Sequence, residues 1–245
     1  MDVKKYLIVN ADDFGQSRGI SQGIIKAYES GIVTSASLMV RWPAAVYAAA
    51  YSREHPRLSL GLHVDLGEWI YREQSWVPLY EVVTLESIPA VREEVVRQLA
   101  AFYELLGKQP SHIDSHQHVH LREPARSVLL DIARELQVPL RHFSSAIGCC
   151  GRFYGQTTEG APFPEAITSE RLIETLAGLP EGFTELTCHP GEGNDLETMY
   201  LGERAQELKI LCDPQLPARI AAMGIELCSF ANLQRSSWPA SDGSV

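Results

Sequence analysis

The sequence has no basic run and no long apolar run. Its 21 Lys and Arg are outnumbered by 31 Asp and Glu, for a formal net charge of -10. That balance excludes a nucleic-acid partner, because binding a phosphate backbone requires a basic surface. No stretch approaches the roughly 20 apolar residues of a membrane-spanning helix. Lys4-Lys5 is followed only by a short apolar strand rather than the apolar core of a secretory leader. The expectation is a soluble, cytoplasmic protein with no membrane insertion. Cysteine is also scarce: the five residues, Cys149, Cys150, Cys188, Cys212 and Cys228, are odd in number and lack CxxC spacing, which disfavours a disulfide framework. Cys188 and Cys228 lie in apolar strand-like runs and read as buried thiols. There is no internal repeat, low-complexity block or linker, so the 245 residues read as a single α/β domain over 1–235. The small polar residues of 236–245 are expected to form a flexible tail.

The apolar run at 6–9 stops abruptly at Asn10-Ala11-Asp12-Asp13-Phe14-Gly15. Its β-branched and aromatic residues suit a buried strand, which places the acidic pair at that strand's C-terminal end. Parallel α/β folds gather their chemistry there. Adjacent carboxylates repel, so in a site they either share a cation or divide into a ligand and a base; alternatively the pair forms a turn or caps the next helix.

Strands are expected over 34–40, 58–66, 139–143, 182–190 and 226–230, with a further strand beginning near Ser111. Helices are expected over 19–30, 43–52, 90–106, 124–136, 170–179, 201–211 and 217–223. Residues 58–66 alternate strictly, putting Ser59, Gly61, His63 and Asp65 on one face and Leu58, Leu60, Leu62, Val64 and Leu66 on the other. His63 then points into a barrel near the strand's end, as a ligand or as a satisfied core residue. Residues 67–89, carrying Trp69, Tyr71, Trp76 and Tyr80, and residues 144–169 read as irregular excursions over the barrel mouth. Aromatic faces in the first excursion suit sugar rings, though packing onto the barrel accounts for them equally well.

Four of the eight histidines fall between residues 112 and 120, at His112, His116, His118 and His120, with Asp114 among them. If this stretch begins as a strand, His116 faces inward at its end as His63 does; a solvated histidine-rich turn is the alternative. His189 ends the 182–190 strand. Closed or nearly closed β/α barrels bring such strand ends to one face. On that geometry Asp13, His63 and His116 hold one divalent cation, with positions left open for water and substrate. Asp12 is then free as general base and His189 as general acid, and the reaction class is metal-assisted hydrolysis. Asp plus two imidazoles suits Mg or Zn, with Mn or Co also accommodated.

The segments Tyr-Leu-Ile-Val-Asn-Ala-Asp-Asp-Phe-Gly, Gly-Ile-Val-Thr-Ser-Ala-Ser-Leu-Met-Val, Gly-Leu-His-Val-Asp-Leu, His-Ile-Asp-Ser-His-Gln-His-Val-His and Cys-His-Pro together resemble the YdjC/ChbG-type carbohydrate deacetylases. The resemblance runs from residue 6 to about 230. It implies a distorted (β/α) barrel related to the NodB-type deacetylases, one divalent metal, a possible homodimer, and removal of N-acetyl groups from amino sugars. Carried over by position, the metal ligands fall on Asp13, His63 and His116, the catalytic Asp on Asp12 and the late histidine on His189. Arg141 matches an arginine that orients the base. Phe14, Asp65, Trp69 and His118 are the candidate substrate-binding residues. Gln117 stands where the family motif carries a further histidine, which is not a ligand position. The alternatives are a metal-dependent phosphoesterase or amidohydrolase on a similar barrel, and a non-catalytic sugar-binding barrel.

Overall fold

Strand β1 (Lys5–Phe14) is the axis of the molecule. The computed structural model describes residues 4–193 and 195–233; the tail at 236–245 lies outside them. After β1 come α1 (Arg18–Ser30), β2 (Ser35–Leu38), α2 (Ala45–Glu54) and β3 (Ser59–Val64). A two-stranded hairpin, β4 (Gly67–Arg72) and β5 (Ser75–Glu81), precedes the long α3 (Ile88–Leu106), then β6 (Ile113–Ser115) and α4 (Ala125–Leu136). The chain continues through β7 (Ile147–Cys150), α5 (Ser169–Ala177), β8 (Gly182–Cys188), α6 (Gly202–Leu211), α7 (Leu216–Ala222) and β9 (Ile225–Cys228).

The main sheet is parallel, in the order β6-β3-β2-β1-β8-β7. Strand β8 pairs with β1 along Lys5 to Ala11, while the other edge of β1 is shared: its first half pairs with β9 and its second half with β2. Leu140 forms a lone parallel bridge to Ile113 on the β6 edge, and β7 begins only a few residues later on the opposite edge. Residues 140–147 therefore join the two edges covalently, so the sheet curls into an incompletely hydrogen-bonded barrel.

Alternation decides what faces each way. Leu7, Val9, Ala36, Leu60, Leu62, Val64 and Ile113 belong to the main apolar core with the buried faces of the helices. The opposite faces turn inward: Ile8, Ile147, Phe230 and Leu233 form a small apolar plug, whereas Asn10, Asp12, Ser37, His63, Asp114 and Glu185 are all buried and polar. His112 stacks on Phe230 at 3.7 Å between ring centroids. Its ring lies so close to β3 that a Cβ on Gly61 would stand 2.4 Å from it, which is why glycine interrupts the leucines there.

Helix starts follow the sequence signals. The Ser17 side chain accepts from the Ile20 amide to cap α1, and Ser87 accepts from the Ala90 amide to cap α3. Four expectations are corrected. Residues 67–89 are not irregular but carry the β4–β5 hairpin. Residues 139–143 form no strand beyond the Leu140 bridge. The 144–169 excursion contains β7, paired with β8. Cys188 is fully buried as expected, but Cys228, near the end of the short β9, is only partly buried.

Candidate active site

The two aspartates reach one site because β1 bends where it ends. Pairing between β1 and β2 slips between Ala11 and Phe14, and an irregularity of this kind re-aims a side chain. Asp13 has φ of 67°, in the left-handed region that Asp tolerates better than most residues. Neighbours on a regular strand would point to opposite faces; here both carboxylates are buried in one site. Two residues on, Gly15 has φ of 88°, and a Cβ there would stand 3.0 Å from both Ala45 Cα and Leu38 Cδ1. No other residue fits that turn without displacing the backbone of α2.

Asp13 Oδ1 lies 3.1 Å from His63 Nε2 and 2.9 Å from His116 Nδ1. Its other oxygen accepts from Arg204 Nη2 at 2.6 Å. His63 is fixed from behind by Asp114 Oδ1, 2.7 Å from its Nδ1, the position from which a carboxylate would orient the ring as a ligand. His116 opens a 3₁₀ turn, His116–Leu121, just after β6 ends, and its Nε2 is buried without a hydrogen-bond partner. Burial would lower both imidazoles, but the surrounding carboxylates win: Asp114 above all raises His63 to about 9, and Asp13 raises His116 well above its ordinary value. Burial would raise Asp13, yet Arg204 and His116 hold it well below the usual carboxylate range.

Asp12 has different company. Arg141 Nη1 and Nη2 donate to its two oxygens at 2.6 and 2.7 Å, and Asn10 Nδ2 donates at 2.9 Å. Burial pushes this carboxyl up, but the charge and hydrogen bonds of Arg141 outweigh that and keep it ionised. The same guanidinium meets Asp114 Oδ2 and Glu185 Oε1, each at 2.6 Å. His189, one residue beyond β8, places Nε2 3.8 Å from Asp12 Oδ2. Its backbone amide donates to Glu207, which also accepts from the Tyr200 hydroxyl. Burial raises Glu207 to about 8 and lowers His189 to about 4.

The donor set fits a divalent cation. Within the barrel mouth Asp12, Asp13, Glu68, Asp114, Glu185 and Glu207 are six carboxyl groups at most 3% exposed, facing only two buried guanidiniums, Arg141 and Arg204. In that setting His63 and His116 carry the balancing protons, and a divalent cation on the same ligand atoms would displace those protons and supply the charge instead. Asp13, His63 and His116 each offer a ligand atom, all within 4.8 Å of one another. Above them opens a cleft of about 710 Å³, within the range of small-molecule sites.

All six residues expected to carry the chemistry, Asp12, Asp13, His63, His116, Arg141 and His189, converge here. Trp69 and His118 line the cleft. Phe14 and Asp65 do not: the Phe14 ring is fully buried in the apolar core, and Asp65 is enclosed by Arg41, Trp42 and Tyr80. Sequence reasoning missed Glu68, Tyr154, Glu185, Tyr200, Arg204 and Glu207. Glu185 was within reach, since period two on β8 puts it on the face of Thr187 and His189. Arg204 and Glu207 sit with Leu208 and Leu211 on the buried stripe of α6, a helical spacing at which a charged residue is a signal in itself.

The family model for the YdjC-like protein matches residues 6–222. The chain belongs to the YdjC-like family. A chitooligosaccharide deacetylase from Serratia marcescens is 33% identical over 261 residues, covering 94% of this chain and 100% of the relative. Among solved structures, one from Enterococcus faecalis V583 superposes with a TM-score of 0.72 at 25% identity, covering 93% of this chain and 98% of the other. A family 4 carbohydrate esterase from Streptomyces lividans, in complex with acetate, gives a TM-score of 0.56 at 11% identity over 96% and 95% of the two chains. The YdjC-like chain thus has the NodB-type (β/α) barrel, and its curated relatives are carbohydrate deacetylases.

Proposed function

We propose that the protein is a metal-dependent hydrolase that removes an N-acetyl group from an acetylated amino sugar. The observation that carries this reading is the division of labour between the adjacent aspartates: Asp13 faces two imidazoles, while Asp12 faces a guanidinium and the cleft. Asp13, His63 and His116 would hold a single divalent cation. When bound, such an ion lowers the pKa of its water toward neutrality and polarises a carbonyl oxygen. Asp12, kept anionic by Arg141, accepts the proton of the attacking water. His189, a neutral imidazole with Nε2 3.8 Å from Asp12 Oδ2, lines the cleft beside it and relays the proton that Asp12 takes from the water to the departing amine. Glu207 holds the His189 backbone, so the ring is positioned by α6 as well as by β8. The Trp69 and Tyr154 rings offer apolar faces to a sugar.

A phosphoester substrate fits less well. Both buried arginines are already committed to carboxylates, Arg141 to Asp12, Asp114 and Glu185, and Arg204 to Asp13, so neither is available to a phosphate; the other arginine lining the cleft, Arg122, is exposed at its rim. The test is acetate release from N-acetylated mono- and oligosaccharides by metal-stripped protein, with Mg, Zn, Mn or Co added back singly. Acetate that appears only with added metal supports the reading. Acetate formed equally without metal, or none with any ion while the protein still takes one up, overturns it.

A further inference from the structure

Of the five histidines outside this chemistry, three lie together. His118 and His120 lie on the 3₁₀ turn after β6, and His142 follows Arg141 in the segment that joins the barrel edges. Their ring centroids form a near-equilateral triangle: 5.7 Å for His118 to His120, 5.4 Å for His118 to His142 and 5.7 Å for His120 to His142. One nitrogen from each lies within 4.8 Å of the others. We infer that His118, His120 and His142 form a second cation site, separate from the Asp13 centre and suited to a borderline transition ion such as Zn2+.

The hydrogen bonding around the rings supports the assignment. Ser115 Oγ sits 2.6 Å from His120 Nδ1, which leaves His120 Nε2 buried with no partner; His118 Nδ1 is likewise buried and unpartnered. A ring anchored through one nitrogen with the other free is the arrangement of metal-bound histidines. His118 and His142 reach the cluster through left-handed backbone, at φ of 53° and 67°, a conformation that costs energy and persists where surrounding structure enforces it. Cys149 Sγ lies 3.8 Å from His142 Nε2 at the rim, and a set of three imidazoles favours Zn2+ over Mg2+. The Arg141 guanidinium nearby is paired with the Asp12, Asp114 and Glu185 carboxylates, which offset part of its repulsion. Three imidazoles leave a fourth tetrahedral position open, and His118 lines the cleft, so an ion here would sit beside the substrate space.

The test counts zinc bound per chain by equilibrium dialysis of metal-stripped, full-length protein against Zn2+ with excess Mg2+. The expected result is one zinc equivalent fewer for His142→Gln than for the unaltered chain. His63→Ala, which removes the first site, should keep one zinc equivalent, and the double variant none. His142 is exposed, so its substitution leaves folding intact and the comparison with the unaltered chain stands even if His63→Ala folds poorly. Uptake by His142→Gln equal to that of the unaltered chain overturns the inference, whichever ion fills the first site. Acetate release is not its readout, so failure of the deacetylase reading would be seen separately.

Discussion

Asp12 and Asp13 are chemically identical neighbours given different roles by their surroundings. Arg141 grips one with two hydrogen bonds, and two imidazoles with Arg204 enclose the other. Glu207 shows the opposite treatment. Its carboxyl titrates at an ordinary 4.5 when unfolded and at about 8 in the fold, because burial disfavours its charge. Between those values the folded state holds a proton that the unfolded state has released, so this group's contribution makes stability fall as pH rises across that window. Glu207→Gln removes the titration while retaining an acceptor for the His189 amide. The melting temperature of the unaltered protein should therefore decline more steeply than that of Glu207→Gln between about pH 5 and about pH 8; parallel curves would show that Glu207 is ionised throughout.

At the scale of elements, the hairpin β4–β5 and the histidine-rich turn are stitched together by one side chain. Gln117 Oε1 accepts from the Trp69 amide and its Nε2 donates to the Trp69 carbonyl, both at 2.8 Å. The residue that departs from the family motif thus fixes the strand that carries a cleft aromatic. Gln117→Ala should weaken this attachment by about 1 kcal/mol, speeding hydrogen exchange at the Trp69 amide roughly fivefold while exchange in β1 stays unchanged. Unaltered exchange at Trp69 would mean the hairpin is held elsewhere. The hairpin itself was hidden from sequence reasoning because its turn residues, Glu73 and Gln74, adopt positive φ of 49° and 64° without the Asn-Gly signature that normally marks such turns. Strand β7, four residues including Gly148, offered equally little. By contrast β1, β3 and β8 were legible, since alternation on half-polar barrel strands is a strong signal, and so were the histidines and aspartates at their ends. Arg204 and Glu207 were not, because charges on a helix ordinarily read as solvent-facing.

Taken whole, the barrel is an apolar shell around a buried acidic mouth, and among the described residues no helix is long and apolar enough to cross a membrane. A fold that concentrates so much carboxylate is stabilised by whatever cation it binds. At a metal concentration about a hundredfold above the dissociation constant the gain is about 2.7 kcal/mol. Chelation should then lower the melting temperature by about 5–10 °C for a chain of this size, and indifference to chelator would argue against a resident ion. The most direct test of the account measures metal content and acetate release in the same samples of unaltered protein, Asp12→Asn and Asp13→Asn. The account predicts that Asp12→Asn keeps its metal and loses about a hundredfold or more in turnover, whereas Asp13→Asn loses the metal and with it the activity. Full turnover in Asp12→Asn, or equal loss of metal from both variants, would contradict the division of base from ligand on which the proposed function rests.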